Sequence, residues 1–509
     1  MKNIRTIWEH CTNDYSNLPA VRWLDKKDVK EISYLQLDEA VTAIRKGLAR
    51  LGYSQKHIAL IGASSVSWIA SYLGVTTGDN VAVPLDVNLP AEDLVDLLVR
   101  SDAEALFISP KLAAFIDTVK HACPKIRNIW LLCDDAKDAP CLAQLKAAGS
   151  DAVDVEAAEE SDLATIIFTS GTTGKSKGVM LSQENLASNV EAVPFTADPG
   201  CVLMSVLPIH HAFCLVMDWL KGFSLGAVVC INDSFLHMVR NMNVFKPEVM
   251  LMVPLMVESI YKRLAAADPS IPKSLLAQNV FGGNLRIIFT GGAHLDPFYI
   301  GKFNEYGVDV LEGYGMSECS PVITSNVPQD HKAGSIGRPL PNVEIKIEND
   351  EILVRGSSVM KGYYKMPEET AQTLRDGWLH TGDKGYVDED GFVFINGRVK
   401  NLIILSNGEN ISPEEIENKI ALYPLVSEVI VTGEDNGLTA RIYPEKELAQ
   451  AKGLDDAAVR DSIQNFIDDY NIHQPTYRRI TGFVMRDNPF IKNATSKIIR
   501  ARALEDIPA

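Results

Sequence analysis

Residues 165–186 read TIIFTSGTTGKSKGVMLSQENL, and how they are read decides the fold. Between two apolar runs, residues 169–178 hold three glycines, three threonines, two serines and two lysines. Backbone N–H groups, hydroxyls and ammonium groups on a glycine-loosened turn suit phosphate oxygens. On this segment alone, a solvent-facing turn of Ser and Gly is the alternative. Gly174-Lys175-Ser176 matches the end of a Walker A loop, but that motif needs a glycine five residues before Gly174, where Thr169 stands. A Walker loop also runs from a strand into a helix whose N-terminus takes the phosphate. Here the loop leads into GVML, a second extended run, so strand–loop–strand is expected, with a helix only after Ser182.

Working outward, the first 330 or so residues alternate β-rich runs with helical patterns. HIALIG, NVAVPL, ALFIS, IWLLC, TIIFTS, VLMSVLP, AVVCI and LRIIFTGG read as strands, with helices such as 91–100 and 234–245 between them. That alternation predicts an α/β fold with covered, largely parallel sheets. From about Gly334 the texture shifts to short strands and turns (VEIKI, EILVRG and a hairpin around Asp388–Gly391), a small β unit. Ser412, Pro413 and Glu415 are spaced as a capping box opening a helix. The remainder has the strands and helices of a separate α+β domain. The expected division is a large domain over 1–398 and a small mobile one over 399–509, with the boundary near Gly397–Lys400.

A chain of 509 residues is too long for one core. A net charge of −17 argues against a nucleic-acid partner. MKNIRTIWEHC has no apolar core or cleavage site of a secretory leader, so a cytoplasmic location is expected. Ile58 to Gly78 is uncharged for 21 residues, long enough to span a bilayer, but its four serines, two threonines and three glycines favour strand, turn and buried helix. No integral membrane contact is expected. The eight cysteines contain no C-x-x-C pair, which fits reduced thiols, and the adjacent His210–His211 is poorly arranged for one transition metal.

Further motifs follow in order: GGAHL at 291–295, YGMSE at 314–318, GWLHTGD at 377–383, GRVKNLIILSNGENISPEEIE at 397–417 and KNATSKIIR at 492–500. With the 169–178 loop they make the chain, over nearly its whole length, resemble the adenylate-forming enzymes: acyl-CoA synthetases, standalone adenylation domains and relatives of firefly luciferase. The LSNGENISPEEIE wording is most similar to fatty acyl-CoA ligases.

The resemblance implies two half-reactions. A carboxylate attacks the α-phosphate of ATP to give acyl-adenylate and pyrophosphate, and a thiol then takes the acyl group and releases AMP. It implies that Thr169, Ser170, Gly171, Thr172, Thr173, Gly174 and Lys177 hold the phosphates, and that Gly291, Gly292, Ala293, Tyr314, Gly315 and Ser317 line the adenine and acyl pocket. Glu318 is the implied ligand of Mg²⁺, an ion that takes one or two carboxylates plus phosphates. Asp383 would accept the ribose hydroxyls with its two oxygens, with Arg398 close to ribose or phosphate. Lys497 would reach the α-phosphate during adenylation, and Lys400 would be the pivot on which the small domain turns. Gly408 would leave room for the thiol arm, and His211 would form part of the acyl-pocket wall. Ser317 stands where relatives often have threonine, which keeps the hydroxyl. Ser496 and Asn493 stand where many have glycine and threonine; fatty-acyl members commonly lack that glycine.

Amino-acid-activating relatives carry an acid near the segment matching LPIHHAFCLVM; from His210 to Met217 this chain has none. A medium- or long-chain fatty acid is therefore the expected substrate, with an aryl or other carboxylate as the alternative. Coenzyme A is the expected acceptor, with an acyl carrier protein as its rival. A non-catalytic acyl-nucleotide binder is the alternative from another class, which retention of Lys497, Glu318, Asp383 and Arg398 disfavours.

Overall fold

Fully apolar runs such as Val249–Met252 have no polar side to turn to water, so they are stable only as central strands with both faces covered. In a computed structural model, which describes residues 2–136, 139–169, 176–404, 410–434, 437–492 and 498–504, they occupy that place. The chain divides into two compact units, Met1–Ile345 with Val354–Leu379, and Lys346–Leu353 with His380–Ala509.

The first unit holds two sheets. The nine-stranded one runs Arg338–Pro339, Val322–Ser325, Asp309–Gly315, Ile287–Thr290, Val249–Met252, Val202–Ser205, Val228–Ile231, Pro19–Asp25 and Asp28–Ser33. Its six central strands are parallel and its edges antiparallel. The seven-stranded sheet runs Gly362–Tyr363, Lys177–Ser182, Leu163–Thr169, Val81–Leu85, His57–Ile61, Ala105–Ile108 and Asn128–Leu131. Five of these are parallel; the strands after the 169–178 loop join antiparallel. Each sheet faces a large apolar core.

The uncharged 58–78 stretch is strand His57–Ile61, a turn and the buried helix Val66–Thr76. No helix among the described residues is long and apolar enough to cross a membrane. The run VMLMVPLMV changes element at Pro254, which sits in the first turn of the helix Pro254–Ala265, where its missing N–H costs nothing.

The second unit packs the helices Pro413–Ile420 and Asp456–Ile472 with a sheet of Val426–Glu434, Gly437–Pro444 and Ile480–Met485. The expected hairpin is present, its arms Trp378–Val387 and Val393–Arg398 in antiparallel register. One expectation needs correcting. Ser412 is the N-cap and Pro413 opens the helix, but the Ser412 side chain makes no capping bond. Glu415, expected to close the box, is drawn instead to Arg478 from a distant part of the chain.

Candidate active site

The 165–186 stretch folds as strand Leu163–Thr169, loop, strand Lys177–Ser182 and helix Gln183–Ala192, which excludes the Walker arrangement. Thr169 and Lys177 are the last cross-strand partners before the loop. Ser170, Gly171, Thr172, Thr173 and Gly174 lie outside the described residues. Arg100 donates to the Ser176 carbonyl at 2.5 Å, tying the loop's exit to the helix Ala91–Arg100. Ser182 caps the following helix reciprocally with Asn185.

The strands Ile287–Thr290 and Asp309–Gly315 are parallel neighbours, with Thr290 opposite Glu312, and end together in GGA and GYG. Crevices at the carboxyl ends of parallel strands are where α/β sheets bind ligands. A Cβ on Gly291 would sit 2.9 Å from the Gly313 carbonyl oxygen, so this approach requires glycine. Gly315 is held more tightly, its missing Cβ falling 1.9 Å from the Pro321 oxygen. Gly292 has φ +82°, a left-handed backbone suited to glycine. Ala293 is exposed, and Tyr314 and Ser317 are half-buried.

Glu318 lies in the short turn Ser317–Cys319, only 9 % exposed. Its Oε1 accepts a 2.8 Å hydrogen bond from the Tyr363 hydroxyl, and the Lys177 ammonium sits 4.6 Å from the centre of the same tyrosine ring. Burial and the adjacent Glu318 carboxylate push the Tyr363 hydroxyl up, so it remains a donor. Two buried asparagines on Gln183–Ala192 brace this group. Asn189 Nδ2 donates to the Val322 and Cys319 carbonyls (2.7 and 3.3 Å), and its Oδ1 accepts from Val322 N (3.2 Å). Asn185 Nδ2 donates to the Ser357 and Val359 carbonyls, at 2.7 and 2.9 Å. Sequence reasoning singled out none of Tyr363, Asn185 and Asn189. Their one signal was the i, i+4 pair of asparagines on a helix, where polar residues of this kind usually face water.

His211 lies against His210, ring centroids 4.2 Å apart, just before the buried π-helix Cys214–Lys221. Such helices recur at functional sites. Burial first, then His211, pushes His210 down to about 4, leaving it neutral near pH 7 although Asp86 is 3.7 Å away. Phe213 approaches Gly291, its ring tip 3.9 Å from where a Cβ would stand. No acid interrupts 210–217, but Asp218 follows directly. It is fully buried beside Cys214, and burial pushes its carboxyl up to about 7, so it is a core group. Glu312 was also missed: burial pushes it up to about 8, with Oε1 accepting from Leu295 N at 3.4 Å.

In the second unit Asp383 is buried and pairs through Oδ1 with Arg398 Nε at 2.7 Å, the two being cross-strand partners. Thr381 accepts from Asp383 N at 3.1 Å, and Glu351 accepts from Gly382 N at 2.9 Å, fixing the turn that presents the carboxylate. Lys400 is exposed in the turn Val399–Asn401. Gly408 and Lys497 lie outside the described residues. Lys492 and Ile498, on either side of Lys497, are bridge partners, and Arg500 is anchored to Glu417 at 2.5 Å.

This combination of a hydroxyl-rich loop between antiparallel strands, glycine turns at two parallel strand ends, and a buried carboxylate and a lysine meeting on one tyrosine defines a class. The chain belongs to the AMP-binding enzyme family, whose model matches residues 8–364, with the C-terminal domain of AMP-binding enzymes matching 400–507. Among curated relatives, a long-chain-fatty-acid–CoA ligase of Mycobacterium bovis is 28 % identical, the match covering 84 % of this chain and 79 % of the relative. An indoleacetate–CoA ligase of Aromatoleum aromaticum is 31 % identical, with 79 % and 80 % covered. The solved structure of ATP-bound MatB from Rhodopseudomonas palustris superposes with a TM-score of 0.80 at 26 % identity, covering 98 % of both chains. The protein has the adenylate-forming fold and is an AMP-forming acid–thiol ligase, ATP-dependent and using coenzyme A.

Proposed function

We propose that the protein activates a medium- or long-chain fatty acid as its acyl-adenylate and passes the acyl group to coenzyme A. The observation that carries the chemistry is the meeting of Lys177 and Glu318 on Tyr363, which sets a cation and a buried carboxylate beside the phosphate loop. That carboxylate fits a hard divalent ion shared with phosphate oxygens, so Glu318 is the proposed holder of Mg²⁺, and Lys177 faces the phosphates rather than the ion. Bound there, the ion would neutralise charge on the phosphates. The loop and Lys177 grip the β- and γ-phosphates, and the backbone of Gly291, Gly292, Ala293, Tyr314 and Gly315 receives adenine and the acyl end. Asp383 and Arg398 take the ribose. Lys497 stabilises charge on the α-phosphate during attack, and the 399–509 segment turns about Lys400 to bring the thiol in past Gly408.

The fatty-acyl reading is supported by the acid-free 210–217 wall and by the long-chain relative. An aryl acid is the second reading, which the indoleacetate relative favours. A carrier protein as a further acceptor is disfavoured, because such proteins are usually acidic and this chain is itself at −17. Eight free cysteines, seven of them buried, suit a cytoplasmic setting. The test is a panel of carboxylic acids with ATP, with and without coenzyme A, reading pyrophosphate and thioester separately. Each methylene that binding buries should add roughly 0.8 kcal/mol, up to the longest chain the enzyme accommodates. A flat response from acetate to palmitate would overturn the fatty-acyl reading, and absence of pyrophosphate would overturn adenylation.

A further inference from the structure

The segment 361–365 contributes only two residues to a sheet edge, yet it is held at every step. Lys361 N donates to Met180 O at 2.9 Å, Tyr364 N donates to Gly178 O at 2.7 Å, and Tyr363 lies in register with Val179. Tyr363 N donates to Thr370 Oγ1 at 2.9 Å, and the Tyr364 hydroxyl donates to Asp102 at 2.6 Å. Tyr363 is 5 % exposed, so its ring has one place to lie. From that place it touches two groups that are 141 residues apart in the chain, Lys177 and Glu318. Lys177 stands over its face, and Glu318, 45 residues away in the chain, accepts from its hydroxyl.

We infer that Tyr363 is a positioning residue for adenylation, a rigid spacer that sets the distance between the Lys177 ammonium and the Glu318 carboxylate. Lysine and glutamate are long side chains with several rotors, and held by one aromatic ring they reach the nucleotide already oriented. This rests on the adenylation reading above. A ring that merely filled space would not need its hydroxyl, and the two roles separate by substitution.

The test uses the full chain and three proteins: parent, Tyr363→Phe and Tyr363→Leu. Tyr363→Phe keeps the ring for Lys177 and releases Glu318. It should raise the Mg²⁺ concentration for half-maximal pyrophosphate release about tenfold, the scale of a hydrogen bond to a charged group, with KM for ATP within about twofold of parent. Conversion of supplied acyl-adenylate to thioester should be unchanged. Independently of turnover, electron paramagnetic resonance of Mn²⁺ with a non-hydrolysable ATP analogue should show less bound metal in Tyr363→Phe. Tyr363→Leu removes the ring as well and should also raise KM for ATP; if it does not fold, Tyr363→Phe decides alone. Parent-like Mg²⁺ dependence and Mn²⁺ binding in Tyr363→Phe, or equal loss in both half-reactions, would overturn the inference. A parent that releases no pyrophosphate with any acid removes the adenylation reading first, and this inference with it.

Discussion

Replacing Asn189 by alanine should destabilise the first unit and loosen Glu318 together. Asn189 is fully buried and makes three hydrogen bonds to the chain around Glu318: two donated to the Val322 and Cys319 carbonyls, one accepted from Val322 N. Each such bond contributes about 1 kcal/mol net, and the buried Val322 N–H left without its acceptor adds about 1 kcal/mol or more. Alanine returns about 0.5 kcal/mol through its better helix propensity. The balance is a loss of about 3.5 kcal/mol. Asn189→Asp gives a sharper signature. It retains the acceptor for Val322 N–H but turns a carboxylate oxygen toward two carbonyls. It should therefore be worse than alanine at pH 7 and recover part of the loss at pH 5, where the carboxyl protonates more readily. All six tryptophans (8, 23, 68, 130, 219 and 378) lie in the first unit, so urea unfolding followed by tryptophan fluorescence reads that unit directly. Pyrophosphate release should fall in the folded variants while acyl-adenylate conversion persists. An unfolding free energy for Asn189→Ala within about 0.5 kcal/mol of parent, or Asn189→Asp no worse than alanine at pH 7, would refute the bracing argument.

Lys497→Ala should lose about 10²–10³ in adenylation rate, the usual cost of one preorganised charge-stabilising donor, yet convert supplied acyl-adenylate at near parent rate; single-turnover assays of each step decide. Lys400→Pro, which fixes φ and removes an N–H, should spare pyrophosphate release and depress thioester formation; equal loss in both would move the pivot elsewhere. Glu312 is raised to about 8 from an ordinary value of 4.5, so the folded chain holds a proton that the unfolded chain gives up between those values. Its contribution to stability therefore declines as pH rises from about 4.5 to about 8, by at most about 1.4 kcal/mol per pH unit. Glu312→Gln should flatten that part of the profile in urea titrations at pH 5 and pH 8.

What the sequence determined by itself was mostly encoded within about ten residues. Apolar runs such as HIALI and VMLM must be covered on both faces, which dictates central strands. GVML after the loop dictates strand–loop–strand, and Ser182 sets the start of the next helix. The glycines of GGA and GYG mark where backbones must approach one another. Only the tertiary structure decided which distant side chains meet and which are stripped of water. Tyr363 reaches Glu318 across 45 residues and Asn189 reaches Val322 across 133, partnerships that no local period announces. The Ser412 box stayed open because Arg478, 63 residues beyond Glu415, captured the glutamate. Glu312 looked like any strand acid until burial, with Asp296 nearby, pushed its carboxyl up. Local propensity follows from the backbone and its nearest neighbours. Pairing and desolvation follow from what the whole chain packs around a group, so they emerge only once the fold has closed.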